Sequence, residues 1–218
     1  MSERTVYSFL GLPGSGKGTQ AEIMAKKMKV TVFGMGNLIR KELENADFSD
    51  PFYKEMKERY DKGIPQPDEI AVDIIKKNID GIEGDIVLDN FPFTKNQSDL
   101  FFEMCKDLGI DKPVCVWIKI EPESALNRIL NRKVCSKCGK NFIGGTATIC
   151  DACGGSLISR ADDKAEVVEN RISIYKPRID DVVEEFKNQA ILIEINGEQT
   201  IPEVEKEIEE KVINAEIK

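Results

Sequence analysis

The segment Gly11-Leu12-Pro13-Gly14-Ser15-Gly16-Lys17-Gly18-Thr19 decides the fold of this 218-residue chain. A β-rich run at 5–10 precedes it and a helical pattern follows it, which is the context that a phosphate-binding loop requires. Its glycines let backbone N–H groups turn inward around phosphate oxygens, and the helix N-terminus adds its positive end. Lys17 supplies a full positive charge. The alternative, a glycine-rich turn with an incidental lysine, does not account for the loop and both flanks together.

The rest of the chain alternates short apolar strands with amphipathic helices. Further strands are predicted at 30–33, 85–89, 114–120 and 190–195, and helices at 19–28, 37–44, 51–62, 68–79, 97–108, 123–132, 162–187 and 201–213. Pro177 lies inside the helix predicted at 162–187, where it can cause a kink. This alternation predicts an α/β fold, a three-layer core around a five-stranded parallel sheet. Residues 133–160 interrupt it with few long apolar side chains, which indicates a small inserted module.

The composition excludes several classes of function. The net charge is −8 at pH 7, which argues against a broad nucleic-acid or membrane surface but permits a local cluster of cations. The chain has no histidine, so mechanisms that need an imidazole base or ligand are excluded. No apolar run is long enough to cross a bilayer, and the charged N-terminal residues do not resemble a cleaved leader. A cytoplasmic protein is therefore predicted.

The phosphate loop resembles that of adenylate kinases and close nucleoside monophosphate kinases. Gly18 follows the lysine where most phosphate loops have Ser or Thr, and the string GxPGxGKGTQ is the form that those kinases use. The resemblance covers nearly the whole chain. It implies a reversible, Mg²⁺-dependent transfer of the terminal phosphate of ATP to AMP, which gives two ADP, with no nucleic-acid or membrane partner.

The resemblance also implies a domain organisation. A P-loop NTPase core would comprise residues 1–33, 65–126 and 162–218. A helical NMP-binding insertion would span 34–64, and a zinc-bearing lid 127–161. The family default is a monomer, although the sequence leaves the oligomeric state open.

Individual residues take roles from the same resemblance. On the ATP and Mg²⁺ side these are Gly14, Ser15, Gly16, Lys17, Gly18, Thr19, Asp89, Arg128 and Gln199, and on the AMP side they are Gly36, Arg40 and Gln97. Asp89 would position Mg²⁺ through the waters of the ion. Arg40 would hold the acceptor's phosphate and Gln97 would read its base. Backbone groups near Gly197 and Gln199 would contact the donor base.

Lys17 and five arginines form the predicted catalytic set. The arginines are Arg40, Arg128, Arg132, Arg160 and Arg171. Arg128 and Arg132 are predicted one turn apart on one helix face, with Arg128 stacked on the donor base. The forked guanidinium groups of Arg132, Arg160 and Arg171 would neutralise the transferring phosphoryl group. The attacking phosphate oxygen is already ionised, so no general base is required.

Two acidic residues follow the inserted module, Asp162 and Asp163. They match a pair of acids that follows the lid in the family. Three roles remain open for them: orienting the lid arginines, contacting the donor ribose, or serving only as charges at a helix N-terminus.

Several acceptor-side positions depart from the family pattern. Met35 and Asn37 replace the usual Thr and Asp, Asn90 replaces Gly, and Phe93 replaces an arginine that grips the acceptor's phosphate. Compensating cations could be Lys41, Lys54 or Lys95. These departures support a second hypothesis, a nucleoside monophosphate kinase with another or broader nucleotide choice. A third is a non-catalytic nucleotide-binding sensor, although Lys17, Asp89 and the lid arginines are all retained.

Four cysteines lie in the inserted module as two C-x2-C pairs, Cys135 with Cys138 and Cys150 with Cys153, with 11 residues between the pairs. This spacing predicts a tetrahedral structural zinc site, with iron as another thiophilic metal, and two disulfides or free thiols as the alternatives. Similar zinc-bearing lids occur in the family that the chain resembles. A nucleic-acid role for the module is a weaker hypothesis, because it contains a single aromatic residue.

Overall fold

The structure is a computed structural model that describes residues 4–110, 112–159, 163–188 and 191–214. In chain order its elements are β1 (Thr5–Leu10), α1 (Lys17–Met28), β2 (Thr31–Gly34), α2 (Met35–Glu44), α3 (Pro51–Asp61), α4 (Asp68–Ile79), β3 (Ile86–Asp89), α5 (Lys95–Asp107), β4 (Lys112–Lys119), α6 (Pro122–Leu130), β5 (Arg132–Cys135), β6 (Asn141–Ile143), β7 (Leu157–Ile158), α7 (Ala165–Asn188), β8 (Leu192–Asn196) and α8 (Ile201–Ile208), which continues as a π-helical turn (Glu209–Ile213).

The central sheet has five parallel strands in the order β2-β3-β1-β4-β8, as the sequence predicts. In this order Gly34 at the end of β2 pairs with Asp89 at the end of β3, which in turn pairs with Phe9 of β1. The carboxyl ends of the three strands therefore meet at one edge. Ligands bind at this edge in open α/β sheets.

Alternating side chains of β1 serve two different cores. Val6 and Leu10 pack with residues of α4, α5 and α7, whereas Tyr7 and Phe9 pack with residues of α1 and α8. This period of two is the geometry of an extended strand. Helices therefore cover both faces of the sheet, which confirms the predicted three-layer arrangement.

A second, antiparallel sheet with the order β6-β5-β7 lies between α6 and α7. Helix α7 runs without interruption through Pro177. None of the helices among the described residues combines the length and the apolar character of a membrane span.

The prediction for one helix end was wrong. Helix α6 ends at Leu130, and Arg132 begins strand β5 instead of lying one helical turn beyond Arg128. Asn131 leaves the helical conformation, and its carbonyl accepts a hydrogen bond from Gly144 N at 3.0 Å. The pairing of β5 with β6 thus replaces the last helical turn, and the helical pattern of the sequence does not report such a long-range partner.

Candidate active site

A cleft of about 270 Å³ opens where β1, β2 and β3 end. Its walls come from the phosphate loop, α2, the segment 63–66 and the facing sides of α6, β5 and α7. The basic side chains along its described walls are Lys17, Arg40, Arg128, Arg132 and Arg171. The fold therefore gathers into one space cations that the sequence distributes over 155 positions.

The phosphate loop needs its glycines for two separate reasons. Gly16, with φ of +91°, caps α1 in the left-handed conformation that side chains rarely adopt. Gly14 has φ of +85°, and a Cβ on it would lie 2.7 Å from the carbonyl oxygen of Ala125. Ser15 is buried beneath the loop, and its Oγ accepts a hydrogen bond from Lys17 N at 3.4 Å. Helix α1 begins at Lys17, two residues before the predicted start, so its N-terminus faces the cleft.

Burial of Lys17 lowers the pKa of its ammonium group to about 8. The carboxylate of Asp89 opposes this shift, whereas Arg171 and Arg132 add to it. Burial also raises the pKa of Asp89, and Lys17 opposes that shift. Without a ligand, Lys17 is therefore held in an environment that disfavours its charge. A polyanion in the cleft would relieve this penalty.

The carboxylate of Asp89 explains why glycine follows the lysine. A Cβ on Gly18 would lie only 2.9 Å from Asp89 Oδ2. Asp89 Oδ1 is buried and has no hydrogen-bond partner among the described residues. A buried, unpaired carboxylate oxygen beside a phosphate loop fits a hard divalent cation, which prefers oxygen ligands.

Arg132 is held by a two-point contact with Asp163. Its Nε and one Nη donate to the two carboxylate oxygens at 3.0 and 2.6 Å, and the Asp163 side chain is only 3% exposed. Among the three roles open for Asp163, the geometry supports orienting a lid arginine. Arg160 and Asp162 lie outside the described residues.

The acceptor-side prediction centres on Arg40. Its guanidinium donates to Tyr60 OH at 3.0 Å and to Asn37 Oδ1. Asn37 therefore retains an acceptor oxygen for Arg40, although it replaces the acidic residue of the family pattern. Gly36 lines the cleft beside this cation.

A family model for adenylate kinase matches residues 9–191 of the chain. The chain belongs to the adenylate kinase family. It is 33% identical over 206 residues to the adenylate kinase of Caldicellulosiruptor saccharolyticus, an alignment that covers 91% of this chain and 94% of the relative. The corresponding enzyme of Acetivibrio thermocellus is 32% identical over 206 residues, with the same coverage. That of Archaeoglobus fulgidus is 33% identical over 208 residues, covering 92% and 94%.

Membership of the adenylate kinase family makes this chain a phosphotransferase whose small-molecule ligands are ATP and AMP. It also implies Mg²⁺ bound with the nucleotide, consistent with the unpaired oxygen of Asp89. The cleft therefore has to receive two anionic nucleotides, and its five cations are distributed along both halves.

Phe93 is the chain's strongest departure from the adenylate kinase pattern, and it is part of an apolar cluster. It is 4% exposed, and its ring lies 4.4 Å from that of Tyr175, centroid to centroid. The guanidinium carbon of Arg178 lies 5.8 Å from the centroid of the Phe93 ring. The three lysines considered as compensating cations, Lys41, Lys54 and Lys95, are exposed and do not line the cleft, so none of them takes the place of an arginine at 93.

Gln199 is not brought into the adenylate kinase cleft. Its Nε2 donates to the carbonyl oxygen of Asn196 at 3.1 Å and to the carboxylate of Glu207. Gly197 is tightly enclosed, since a Cβ on it would lie 2.5 Å from Ile120 Cγ2. The neighbouring residue Glu198 contacts a cleft residue, because its carboxylate lies 3.8 Å from Arg128 Nη2. The side-chain amide of Gln199 is thus engaged within the protein, and a contact of nearby backbone groups with the donor base stays a prediction.

The four cysteine sulfurs of the inserted module cluster within 4.8 Å of one another. Cys135 Sγ lies 3.4 Å from Cys153 Sγ, and Cys138 Sγ lies 3.7 Å from Cys150 Sγ. A tetrahedral zinc with bonds of about 2.3 Å would require sulfurs roughly 3.8 Å apart, so the arrangement fits this ion. The backbone N–H groups of Cys138 and Lys137 donate to Cys135 Sγ, and these contacts lower the pKa of this thiol, which favours a thiolate ligand.

Tyr60, Gln66 and Tyr175 are among the cleft residues that the sequence did not predict. Tyr175 lies one turn after Arg171 on α7. The guanidinium carbon of Arg171 is 5.8 Å from the centroid of the Tyr175 ring. Gln66 stands between Pro65 and Pro67, and a polar residue between two prolines in a loop is the one signal that could have identified it. Nothing in the pattern around Tyr60 distinguishes it from an ordinary helix residue.

Proposed function

We propose that this chain transfers the terminal phosphoryl group of ATP to AMP with Mg²⁺, and that ADP is the product on both sides. The convergence of Lys17, Asp89 and the cleft arginines at one sheet edge carries this proposal. It agrees with the adenylate kinase family to which the chain belongs.

The chain's own side chains would act by positioning and by neutralising charge. Lys17 would bind the β and γ phosphates of the donor, and the backbone N–H groups of residues 14–19 would donate hydrogen bonds to the same phosphates. Arg132 and Arg171, which act electrostatically on Lys17, would face the transferring group together with Arg160. Arg128 would hold the donor base. A phosphate oxygen of the acceptor attacks as an anion, so the absence of histidine has no consequence for the reaction.

Asp89 and Thr19 are the residues that would hold Mg²⁺ at the donor phosphates. Asp89 offers a buried oxygen with no partner in the described structure, and Thr19 lines the same part of the cleft. When bound, the ion would neutralise charge that develops on the phosphate oxygens.

The acceptor would bind on the other half of the cleft. Arg40 would hold its phosphate, and Gly36 leaves room beside that cation, since a Cβ there would lie 3.6 Å from Arg40 Nη1. Gln97 lies in the wall, as required for a contact with the base. However, its Oε1 already accepts from Phe93 N at 2.8 Å and its Nε2 donates to Asp68 Oδ1 at 2.8 Å.

We further propose that residues 34–64 and 127–161 are the acceptor-binding insertion and the lid, and that 1–33, 65–126 and 162–218 form the core. The lid would exclude water from the transferring phosphoryl group. A zinc ion on Cys135, Cys138, Cys150 and Cys153 would stabilise the lid, which has few apolar side chains of its own, and would take no part in the chemistry. A monomeric state and a cytoplasmic location stay predictions.

A second candidate is a nucleoside monophosphate kinase with a broader choice of acceptor. The buried Phe93 favours it, because this residue removes one cation from the acceptor side. A coupled assay of ADP formation, with Mg-ATP as donor and AMP, GMP, CMP and UMP as parallel acceptors, separates the candidates. We expect strong turnover with AMP alone. Comparable turnover with several acceptors would favour the broader kinase, and ATP binding without turnover would support a non-catalytic sensor.

A further inference from the structure

Helix α7 carries three long side chains at helical spacing on one face, Arg171, Tyr175 and Arg178. The guanidinium carbon of Arg171 lies 5.8 Å from the centroid of the Tyr175 ring. The Tyr175 ring in turn lies 4.4 Å from the ring of Phe93, centroid to centroid, and the guanidinium carbon of Arg178 is 5.8 Å from the Phe93 centroid. A continuous row of contacts therefore joins Arg171 to Phe93 through Tyr175.

Phe93 is the firmly held end of this row. Its side chain is 4% exposed and belongs to the apolar cluster that also contains Ile129 and Ile172. Its backbone N–H donates to Gln97 Oε1 at 2.8 Å. Close packing of the side chain and a hydrogen bond on the backbone restrict Phe93 to one arrangement, so its ring offers Tyr175 a fixed surface.

The stem of Arg171 is held by a different segment. A Cβ on Gly63 would lie 2.7 Å from Arg171 Cγ and 2.8 Å from Cδ, so the backbone of residue 63 packs directly against the stem. Beyond the stem, the guanidinium group lies close enough to the Tyr175 ring for a cation–π contact, which operates within about 6 Å. The two contacts together define where the charge of Arg171 lies.

The position of this charge matters for the reaction. Arg171 and Tyr175 both line the cleft. Burial is the main cause of the lowered pKa of Lys17, and the nearby charge of Arg171 adds to it, which shows that the two cations act on the same space. Neutralisation of a phosphoryl group weakens with distance, and a misplacement of about 1 Å can cost on the order of 100-fold in rate.

We infer that Phe93 is a positioning residue for phosphoryl transfer: it supports the ring of Tyr175, which holds the guanidinium of Arg171 at the transferring group. The inference rests on the proposed function and gives the apolar residue at 93 a part in the transfer step. The competing explanation is that Phe93 only fills the apolar cluster. That explanation predicts a loss of stability without a specific loss of rate.

Phe93→Leu tests the inference, because it keeps an apolar side chain and removes the ring. We expect kcat to fall about 10-fold, while KM for AMP and KM for Mg-ATP stay within about 2-fold of the wild type, since Arg171 acts mainly in the transition state. Steady-state kinetics and thermal unfolding are the measurements. A raised KM for AMP with unchanged kcat would overturn the inference, because Phe93 would then act on acceptor binding.

A double-mutant cycle with Arg171→Ala separates positioning from filling. In the Arg171→Ala background no guanidinium remains to be positioned, so Phe93→Leu should change the rate of transfer less than about 2-fold. Single-turnover measurements reach the slow rates expected in this background. The same fold-loss with and without Arg171 would overturn the inference, because Phe93 would then act independently of that side chain.

Phe186→Leu is the matched control for the loss of a buried ring. Phe186 also lies on α7 and is fully buried, and its ring centroid is 5.9 Å from that of Phe101 and 5.3 Å from that of Phe102. It does not line the cleft. We expect its Tm to fall about as much as that of Phe93→Leu while kcat stays at the wild-type value. Equal losses of kcat in the two variants would contradict a specific role for Phe93.

Tyr175 keeps the inference testable if Phe93→Leu does not fold, since its side chain is only half-buried. Tyr175→Phe keeps the ring and Tyr175→Leu removes it, so kcat of the leucine variant should be at least about 5-fold lower. Equal kcat values would show that the ring does not hold Arg171. A wild type that transfers phosphate to no acceptor would overturn the proposed function itself, whereas an active wild type with an equally active Phe93→Leu would overturn only the inference.

Discussion

Gly18 lies directly against Asp89, and a Cβ on the glycine would come within 2.9 Å of the carboxylate oxygen Oδ2. The contact joins the phosphate loop after β1 to the end of β3. It makes the identity of residue 18 depend on a side chain that is 71 positions away in the sequence.

Gly18→Ala should therefore impair the Mg²⁺ site. The new methyl group would displace the Asp89 carboxylate, and we expect a roughly 10- to 100-fold loss of kcat/KM at limiting Mg²⁺, as is typical when the support of a metal ligand is changed. Steady-state rates over a Mg²⁺ titration measure this. Gly36→Ala is the control, since its Cβ would meet nothing closer than 3.6 Å and should leave the Mg²⁺ dependence as it is. Identical Mg²⁺ curves for wild type and Gly18→Ala would contradict the assignment.

The depressed pKa of Lys17 predicts that ATP binding weakens in mild base. With a pKa of about 8 in the free protein, the ammonium loses its proton above that pH, and the Kd for ATP should rise. Bound phosphates would raise this pKa, so kcat should stay constant to higher pH than kcat/KM. Calorimetric titrations between roughly pH 6.5 and 9.5 test this expectation. A Kd that is constant across this range would show that Lys17 does not titrate there.

Without a ligand, the lowered pKa of Lys17 makes the folded protein more stable as the pH rises. Between pH 8 and 10.5 the unfolded chain binds more protons at Lys17 than the folded chain, so this group's contribution to the free energy of unfolding rises with pH. Its full size is about 3 kcal/mol, at about 1.4 kcal/mol per pKa unit. The stability difference between wild type and Lys17→Met, measured by denaturation at several pH values, isolates it. The advantage of the methionine variant should shrink as the pH rises through this window.

Asp163→Asn should lower kcat by leaving Arg132 poorly oriented. Because the Asp163 side chain is only 3% exposed, the lost charge-assisted contact is worth about 1–3 kcal/mol, which corresponds to roughly 5- to 150-fold in rate. Asp180→Asn, within α7, is the matched control. Its partner Lys176 lies 2.7 Å away, but both side chains are more than half exposed, and such pairs contribute little. Equal effects of the two variants would argue against a specific role for Asp163.

Metal analysis should find one zinc per chain, held by the four clustered thiols. Cys138→Ser should abolish stoichiometric binding and lower the Tm, because a structural metal contributes folding free energy directly. Cys105→Ser is the control, since Cys105 is a buried core residue of α5 and does not belong to the thiol cluster. If the wild type contains no zinc and Cys138→Ser has the same Tm as the wild type, the four thiols do not form a structural zinc site.

Phe93→Arg should destabilise the chain instead of repairing an acceptor site. The change buries a guanidinium near Arg178 and removes the ring contact with Tyr175, at a cost of about 2–4 kcal/mol. The exchange variant Phe93→Arg with Arg178→Phe should recover part of this loss, and Arg178→Phe alone provides the reference. Thermal unfolding and the KM for AMP are the measurements. A lower KM for AMP with unchanged Tm in Phe93→Arg would show that the position still faces the acceptor's phosphate.

The sequence by itself determined those features whose signals lie between neighbouring residues. Alternation of apolar strands and helices predicts the parallel sheet, the glycine pattern at 11–19 predicts the phosphate loop, and two C-x2-C pairs predict the thiol cluster. Each follows from local conformation, since strand period, turn geometry and ligand spacing operate over a few residues.

Only the tertiary structure decided how distant segments share the site. Arg132 lies in a strand and not in the predicted helix, because β5 pairs with β6. The side chain of Gln199 forms its hydrogen bonds outside the cleft. Phe93 became part of an apolar cluster, and Gln66 was left with an unpaired oxygen. These outcomes depend on which side chains meet across many residues of sequence, and packing and hydrogen-bond satisfaction choose among partners that local patterns do not specify.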